Sequence, residues 1–450
     1  IVLHLLLILP GLSTNNPEAF FSRPDSPGYL GPGRALAVNH AYLNEIDGAP
    51  HFVRVPGLPA FLAVIFTIFG VYNTAAAVLF LGFVGVATAI PIYLAGREWH
   101  NQNTGILGAA LFLLYPTALA NRPLLLTDTL FTFFVALQFY YFVRLCKRRD
   151  WTDFAAAAGA AAFGALIRPI NFIWILPALV MLSAVPGIPW RKKLVGGAVG
   201  LLVFAAVLFP WMARNAALGA GWTLDTNTGA MVHQNGAMLL AAVNGTEYEA
   251  EKQRIIAEVN AELADPVRYP DEKSREAYRV SRYKEMIKAH PALWLRQQFQ
   301  LKTLLPDFPS LCENLGLTKS DRGTLNVLRQ KGLWAAVNHY FDGKLYILPV
   351  LGVLMIFPAL LLLGCGTGFF LAAKNFKRDY MVFLLFLGFA EYYFFLPGAI
   401  TVPRYQIPAL PFCCVLAAAG LLFLYAKWKN HTKKVNLSDR NETAGKGATR

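Results

Sequence analysis

The chain has 450 residues, of which 56% are hydrophobic and only 15% charged, with a mean hydropathy of +0.42. Soluble domains carry roughly 25% charged residues, so an ordinary soluble globular protein is excluded. The formal net charge of +14 would suit a nucleic-acid partner, but the basic residues sit in short segments between apolar runs. That is the pattern of cytoplasmic loops in a multi-pass membrane protein, and no nucleic-acid partner is expected.

The chain opens inside an apolar run, IVLHLLLILPGL over residues 1–12, read as the remainder of a first transmembrane helix; a cleaved signal peptide is the alternative and fits worse, because no A-x-A-like cleavage site follows. Next comes RPDSPGYLGPGRALA, Arg23 to Ala37, with Asp25 placed close to the apolar layer. One helix is expected over 32–43, opened by Pro32, and another over 56–70 with Pro59 in its first turn. The second would be about 22 Å long, too short for an apolar layer of about 30 Å. Charge parity also requires an even number of crossings between residues 13 and 74, so the segment 13–73 is read as an external loop lying on the membrane surface.

Nine further spans are expected at 74–96, 104–121, 128–146, 153–167, 170–186, 193–213, 345–371, 380–398 and 406–427. With the first run this makes an all-α polytopic membrane protein of about ten transmembrane helices. The basic groups Arg144, Lys147, Arg148 and Arg149, then Arg191 to Lys193, then Lys374, Lys377 and Arg378 are assigned to the cytoplasmic side. Residues 1–213 then form one transmembrane module and 345–427 the C-terminal spans. Residues 214–344 become an external, mostly helical domain with a break at Pro291. The polar tail 428–450 is expected to be disordered and cytoplasmic. The five cysteines, Cys146, Cys312, Cys365, Cys413 and Cys414, show no metal-binding or disulfide spacing.

Parity places Asp25, Arg54, Arg122, Asp128, Arg168, Arg214, Arg404 and Tyr405 at the outer boundary of the apolar layer. Ionisable residues there are costly and face cavities or one another. Asp128, in RPLLLTDTLFTFF, is either a helix N-terminal acid favoured by the macrodipole or a site residue. Glu391 is either a buried partner for one of these arginines or part of a polar cavity. Chemically, arginines clamp phosphate and a carboxylate can deprotonate an attacking hydroxyl. The combination suits transfer of a group from a lipid phosphate.

Several of these motifs recur in order: DSPGY with Asp25 and Tyr29, Arg54 in RVPGLPAFLA, Asp128 in LLLTDTLFTFF and Arg168-Pro169. FPWMARN with Arg214 and Asn215 follows, then LDTNTGAMVHQNG, then RYQIPALP with Arg404 and Tyr405. In this the chain resembles the ArnT-like and protein O-mannosyltransferase-like glycosyltransferases of the GT-C fold, over nearly its whole length. The resemblance implies two juxtamembrane helices in the first external loop and a polyprenyl-phosphate-linked sugar donor. It implies a lipid, glycan or protein acceptor, and a site on the outer face of the cytoplasmic membrane. Asp25 would be the catalytic or acceptor-activating carboxylate and Asp128 a second active-site acid. Arg54, Arg214, Arg404 and Tyr405 would hold the donor phosphate, with Tyr29, Arg122, Arg168 and Asn215 in the pocket. Val53 stands where some relatives carry an acid, which weakens the inference of a bound divalent metal ion, and Leu58 stands where the family has Tyr. Direct displacement with inversion is implied, and a covalent intermediate on Asp25 stays open. The competing class is a transporter or lipid flippase. Against it, no internal repeat is visible and the charges gather at one face.

Overall fold

The computed structural model describes residues 2–300, 306–314, 318, 323–390, 393, 398–400 and 402–447. Glu391 lies outside these. The described chain is helical, with no strand beyond an isolated bridge between Leu43 and Pro50. Five of its helices are long and apolar enough to cross a membrane: Thr74–Trp99, Asp128–Arg148, Trp190–Ala217, Leu345–Lys374 and Pro403–Thr432. Shorter apolar helices cover Gly57–Phe69, Gln102–Leu114, Pro169–Ala184 and Met381–Ala390. The protein is a multi-pass membrane protein.

The N-terminal helices are α1 (Val2–Leu12), α2 (Pro17–Phe21), α3 (Pro27–Asn39) and α4 (Gly57–Phe69). Helix α3 starts at Pro27, not Pro32. A proline at the first helical position loses no hydrogen bond, and here the buried Ser26 precedes it. Gly33 lets α3 lie against α4, since a Cβ there would stand 3.1 Å from the Pro59 carbonyl. Next come α5 (Thr74–Ala87), α6 (Ala89–Trp99), α7 (Gln102–Leu114) and α8 (Pro116–Asn121). The expected span 104–121 is thus broken at Tyr115, because the residue before a proline is pushed to extended backbone.

Helix α9 (Asp128–Arg148) carries Asp128 in its first turn and Lys147 and Arg148 in its last, both favourable to its dipole. Helix α10 (Thr152–Ala165), TDFAAAAGAAAFGA, packs against α9 on one side and α12 (Trp190–Ala217) on the other, with α11 (Ile175–Ala184) between them in sequence. Small side chains let apolar helices approach where dispersion, not water exclusion, drives association. A buried polar knot pins this layer. Asn171 Nδ2 donates to Gln138 Oε1 (3.2 Å) and the Ala161 carbonyl (2.8 Å), and Tyr393 Oη donates to Asn171 Oδ1 (2.6 Å).

The polar region holds α13 (Asn227–Met231), α14 (Ala237–Asn244), α15 (Tyr248–Leu263), α16 (Glu272–Ala289) and α17 (Pro291–Gln298). Val232, Ala237, Leu239, Ile255, Val259 and Met286 form its own small core. The sequence break at Pro291 is where α16 ends and α17 begins. Helices α18 (Phe308–Asn314) and α19 (Thr324–Tyr340) lead to α20 (Leu348–Lys374), followed by α21 (Phe376–Asp379), α22 (Met381–Leu385) and the last helix, α23 (Leu410–Gly447). The tail was expected to be disordered, but α23 runs on to Gly447; no proline or glycine interrupts residues 421–444.

Helices α20 and α23 touch backbone to backbone. A Cβ on Gly364 would lie 2.6 Å from the Ala417 carbonyl oxygen, and one on Gly420 would lie 2.1 Å from the Gly364 carbonyl oxygen. Neither neighbour is a flexible side chain that can yield. Gly364→Leu is expected to destabilise the protein by about 1–3 kcal/mol. Detergent thermal-shift measurement on the purified chain checks this, with Gly366→Leu, which meets open space, unchanged.

Candidate active site

The turn between α2 and α3 is closed twice. The Arg23 amide donates to Ser26 Oγ (2.9 Å), and the Ser26 amide donates to the Arg23 carbonyl (2.8 Å). Asp25 sits at its corner and meets two arginines from distant segments. Arg54 Nη2 donates to Oδ1 at 2.9 Å and Arg404 Nη2 to Oδ2 at 3.1 Å. Asp128, at the start of α9, accepts from Arg168 Nη1 at 2.9 Å, and Arg404 Nε stands 3.9 Å from its other oxygen. Arg404 therefore bridges both acids. Stacking fixes the guanidinium planes: Arg54 lies over Tyr29 at 5.0 Å and Arg168 over Tyr405 at 5.0 Å.

The two acids differ in access. The Asp25 side chain is 42% exposed and that of Asp128 only 2%, so Asp25 is the one an incoming group can reach. The structure thus gathers Asp25, Arg54, Asp128, Arg168, Arg404, Tyr29 and Tyr405. Arg122, Arg214 and Asn215 make their contacts elsewhere. Arg122 is buried against Gly85 near His4 and donates to the Leu113 carbonyl at 3.3 Å.

Arg214, expected at the donor phosphate, lies away from the two acids in the structure. Its guanidinium donates to the carbonyls of His51 (2.9 Å) and Tyr42 (2.8 Å) and to Asn215 Oδ1 (2.8 Å). Aromatic faces of Tyr42, Phe52 and Trp211 surround it. Asn215 Nδ2 in turn donates to the Thr223 carbonyl at 2.9 Å. Both residues brace the tip of the first loop. Tyr42 passes that order on, donating from Oη to the Arg54 carbonyl at 3.0 Å.

Sequence reasoning passed over several buried acids, among them Asp307 and Asp225. Asp307 caps α18: Oδ1 accepts from the Ser310 amide (3.3 Å) and Oδ2 from Asn121 Nδ2 (3.0 Å), while its own amide donates to Thr117 Oγ1 (3.0 Å). An Asp three residues before a Ser at a helix start is a readable cap signal. Asp225 is buried beside the first loop, and desolvation pushes its carboxyl up to about 7. No local pattern in LDTNTG announces this.

The donor set also decides the question of a metal. Both Asp25 oxygens already accept from arginines, and three guanidinium groups surround the pair of acids. No group of three or more His, Cys, Asp or Glu that could hold a metal occurs among the described residues. These residues do not fit a divalent cation, which that field of positive charge would repel.

With this geometry in view, the chain can be set beside known proteins. Residues 53–213, a little over a third of the chain, match the family described as dolichyl-phosphate-mannose-protein mannosyltransferase. The oligosaccharyltransferase of Archaeoglobus fulgidus, tethered to an acceptor peptide, matches over 95% of this chain and 49% of its own, with 14% identity and a TM-score of 0.53. The fold is the GT-C fold. The same archaeal enzyme, AglB, in complex with an inhibitory peptide and a dolichol-phosphate, matches with a TM-score of 0.51 and 14% identity, over 97% of this chain and 50% of its own. ArnT from Cupriavidus metallidurans bound to undecaprenyl phosphate matches with a TM-score of 0.39 and 13% identity, over 93% and 75%. The chain spans about half the length of the archaeal enzyme. No curated protein matches its sequence.

Two outcomes follow from this GT-C site. Arg168→Ala leaves Asp128 buried beside only the more distant Arg404, and should cost about 3–5 kcal/mol of stability. Adding Asp128→Asn should restore part of that loss, which paired thermal melts would read as a double-mutant cycle. Asp225 has a folded-state pKa above its unfolded value, so its favourable contribution is present at low pH and lost as pH rises through about 7. The melting temperature should fall between roughly pH 4 and pH 7, and Asp225→Asn should flatten that decline.

Proposed function

We propose that the protein is an integral-membrane glycosyltransferase. It transfers a sugar from a polyprenyl-phosphate-linked donor to a hydroxyl or amine acceptor on the outer face of the cytoplasmic membrane. The observation that carries this reading is Arg404, which links an accessible acid, Asp25, to a buried one, Asp128, in a ring of arginines on a GT-C scaffold. The family match over 53–213 and the archaeal oligosaccharyltransferase fold support it.

The assignment to the outer face is supported by α9 itself. Asp128 opens it and Lys147 and Arg148 close it, about 30 Å away along the axis. The site therefore lies across the apolar layer from the basic cluster that the charge rule keeps inside.

In the resting site, Arg54 and Arg404 neutralise Asp25. An arriving donor phosphate competes for the same guanidinium groups, which bind it bidentately. That exchange frees Asp25 to accept the proton of the acceptor hydroxyl or amine. The acceptor attacks the anomeric carbon, the bond from that carbon to the phosphate oxygen breaks, and the lipid phosphate departs with its charge held by the arginines. In-line attack inverts the anomeric centre. Asp128 keeps Arg168 and Arg404 in place from below. Arg214 holds the first loop so that Arg54 faces Asp25.

Native mass spectrometry of the protein in mild detergent tests the donor class. Undecaprenyl phosphate should be retained by the unaltered chain and by Asp25→Asn, and lost from Arg54→Ala and Arg404→Ala. Asp25→Asn should also lose transfer by about 10²-fold or more. Retained transfer in that variant, or no polyprenyl phosphate retention at all, sinks the reading.

A further inference from the structure

The tip of the first loop and the polar helical region line an open cavity of about 440 Å³. Asn44, Asp47, His51 and Phe52 form the loop wall, and His233, Asn260 and Arg279 line the other. The Thr226 amide donates to the Phe52 carbonyl at 3.0 Å and clips the two walls together. His51 and Phe52 lead through Val53 into Arg54, which holds Asp25. The cavity thus shares the first loop with the proposed reaction centre.

Its chemistry is specific. The Nε2 atoms of His51 and His233 are both buried and have no hydrogen-bond partner among the described residues, which is rare for buried polar atoms. Burial, with Arg54 and Arg214 nearby, pulls the His51 imidazole down to about 4, and burial and Arg279 lower His233. Both rings are neutral at physiological pH. Each then offers one donor and one acceptor. The one cation in the lining is already engaged: Arg279 Nη1 donates to Glu272 Oε1 at 3.1 Å and to Glu276 Oε2 at 3.0 Å. Asp47 adds negative charge. Such a lining disfavours an anion and suits a neutral ligand rich in hydroxyls, with Phe52 as an apolar face. The volume lies in the range of small-ligand sites and fits a short oligosaccharide.

We propose that this cavity binds the acceptor, and that the acceptor is a neutral glycan chain whose terminal hydroxyl is presented to Asp25. The proposal rests on the glycosyltransferase reading and names its acceptor class.

The test uses the full chain in nanodiscs, with neutral manno- and galacto-oligosaccharides as probes and oligogalacturonate as the anionic comparison. Saturation-transfer NMR reads glycan binding, and native mass spectrometry of the same preparation reads undecaprenyl phosphate. Neutral oligosaccharides should bind, and affinity should fall by about tenfold or more in His233→Phe and in Asn260→Trp. Asn260 is exposed on α15, so the second variant narrows the mouth without touching the small core. Undecaprenyl phosphate retention should not change. No binding of any neutral oligosaccharide, preference for the anionic one, or undiminished binding in Asn260→Trp overturns the proposal. No glycan binding by the unaltered chain, with phosphate retained, condemns the acceptor assignment alone. Glycan binding without phosphate retention leaves the cavity standing as a glycan site and removes the donor reading.

Discussion

Arg404 joins the two halves of the chain electrostatically. It reaches Asp25 across 379 positions of sequence and stands beside Asp128 at the same time. Taking a carboxylate out of water costs several kcal/mol unless a partner repays it. The turn that carries Asp25, the start of α9 and the turn before α23 must therefore assemble together. The α20–α23 backbone contact and the polar knot at Asn171 belong to the frame that holds those three segments in register.

A second constraint is the bracing of the first loop. Its tip has no core of its own and lies between the apolar helices and the polar region. Arg214 supplies order by donating to two loop carbonyls and by sitting among three aromatic rings. The effect reaches Arg54 through Tyr42. One long cation on α12 thus sets the position of another that faces the proposed donor. The same tip forms one wall of the polar cavity, so the proposed donor and acceptor ends of the site share a single structural element.

The division of labour between the two acids follows from burial. Asp128 is closed in and paired, which suits holding arginines. Asp25 keeps almost half of its side chain open, which suits exchanging them. Identical side chains receive different tasks from the depth at which the fold leaves them.

Much of this was legible beforehand, and the reasons are physical. A span must be long and apolar, so the boundaries of α9, α12 and α20 can be read from composition. Prolines mark helix starts, although the nearer proline at position 27, not Pro32, opens α3. Acids and arginines at the edge of an apolar layer are expensive, so Asp25, Asp128, Arg54, Arg168 and Arg404 stand out by cost alone. Pairing does not show in sequence. Arg214 and Arg404 look alike in a string, yet one is spent on carbonyls and the other lies between two acids. Asp225 and Asp307 lie in polar stretches where an acid is unremarkable, and only tertiary burial gives them weight. The sequence by itself determined that this is a helical membrane protein with a set of charges at the edge of its apolar layer, because solvent cost is a local property. Which charges meet, which are only braces, and where a polar cavity opens were decided by the tertiary structure, because a guanidinium acts on whatever the fold brings within about 3–4 Å of it.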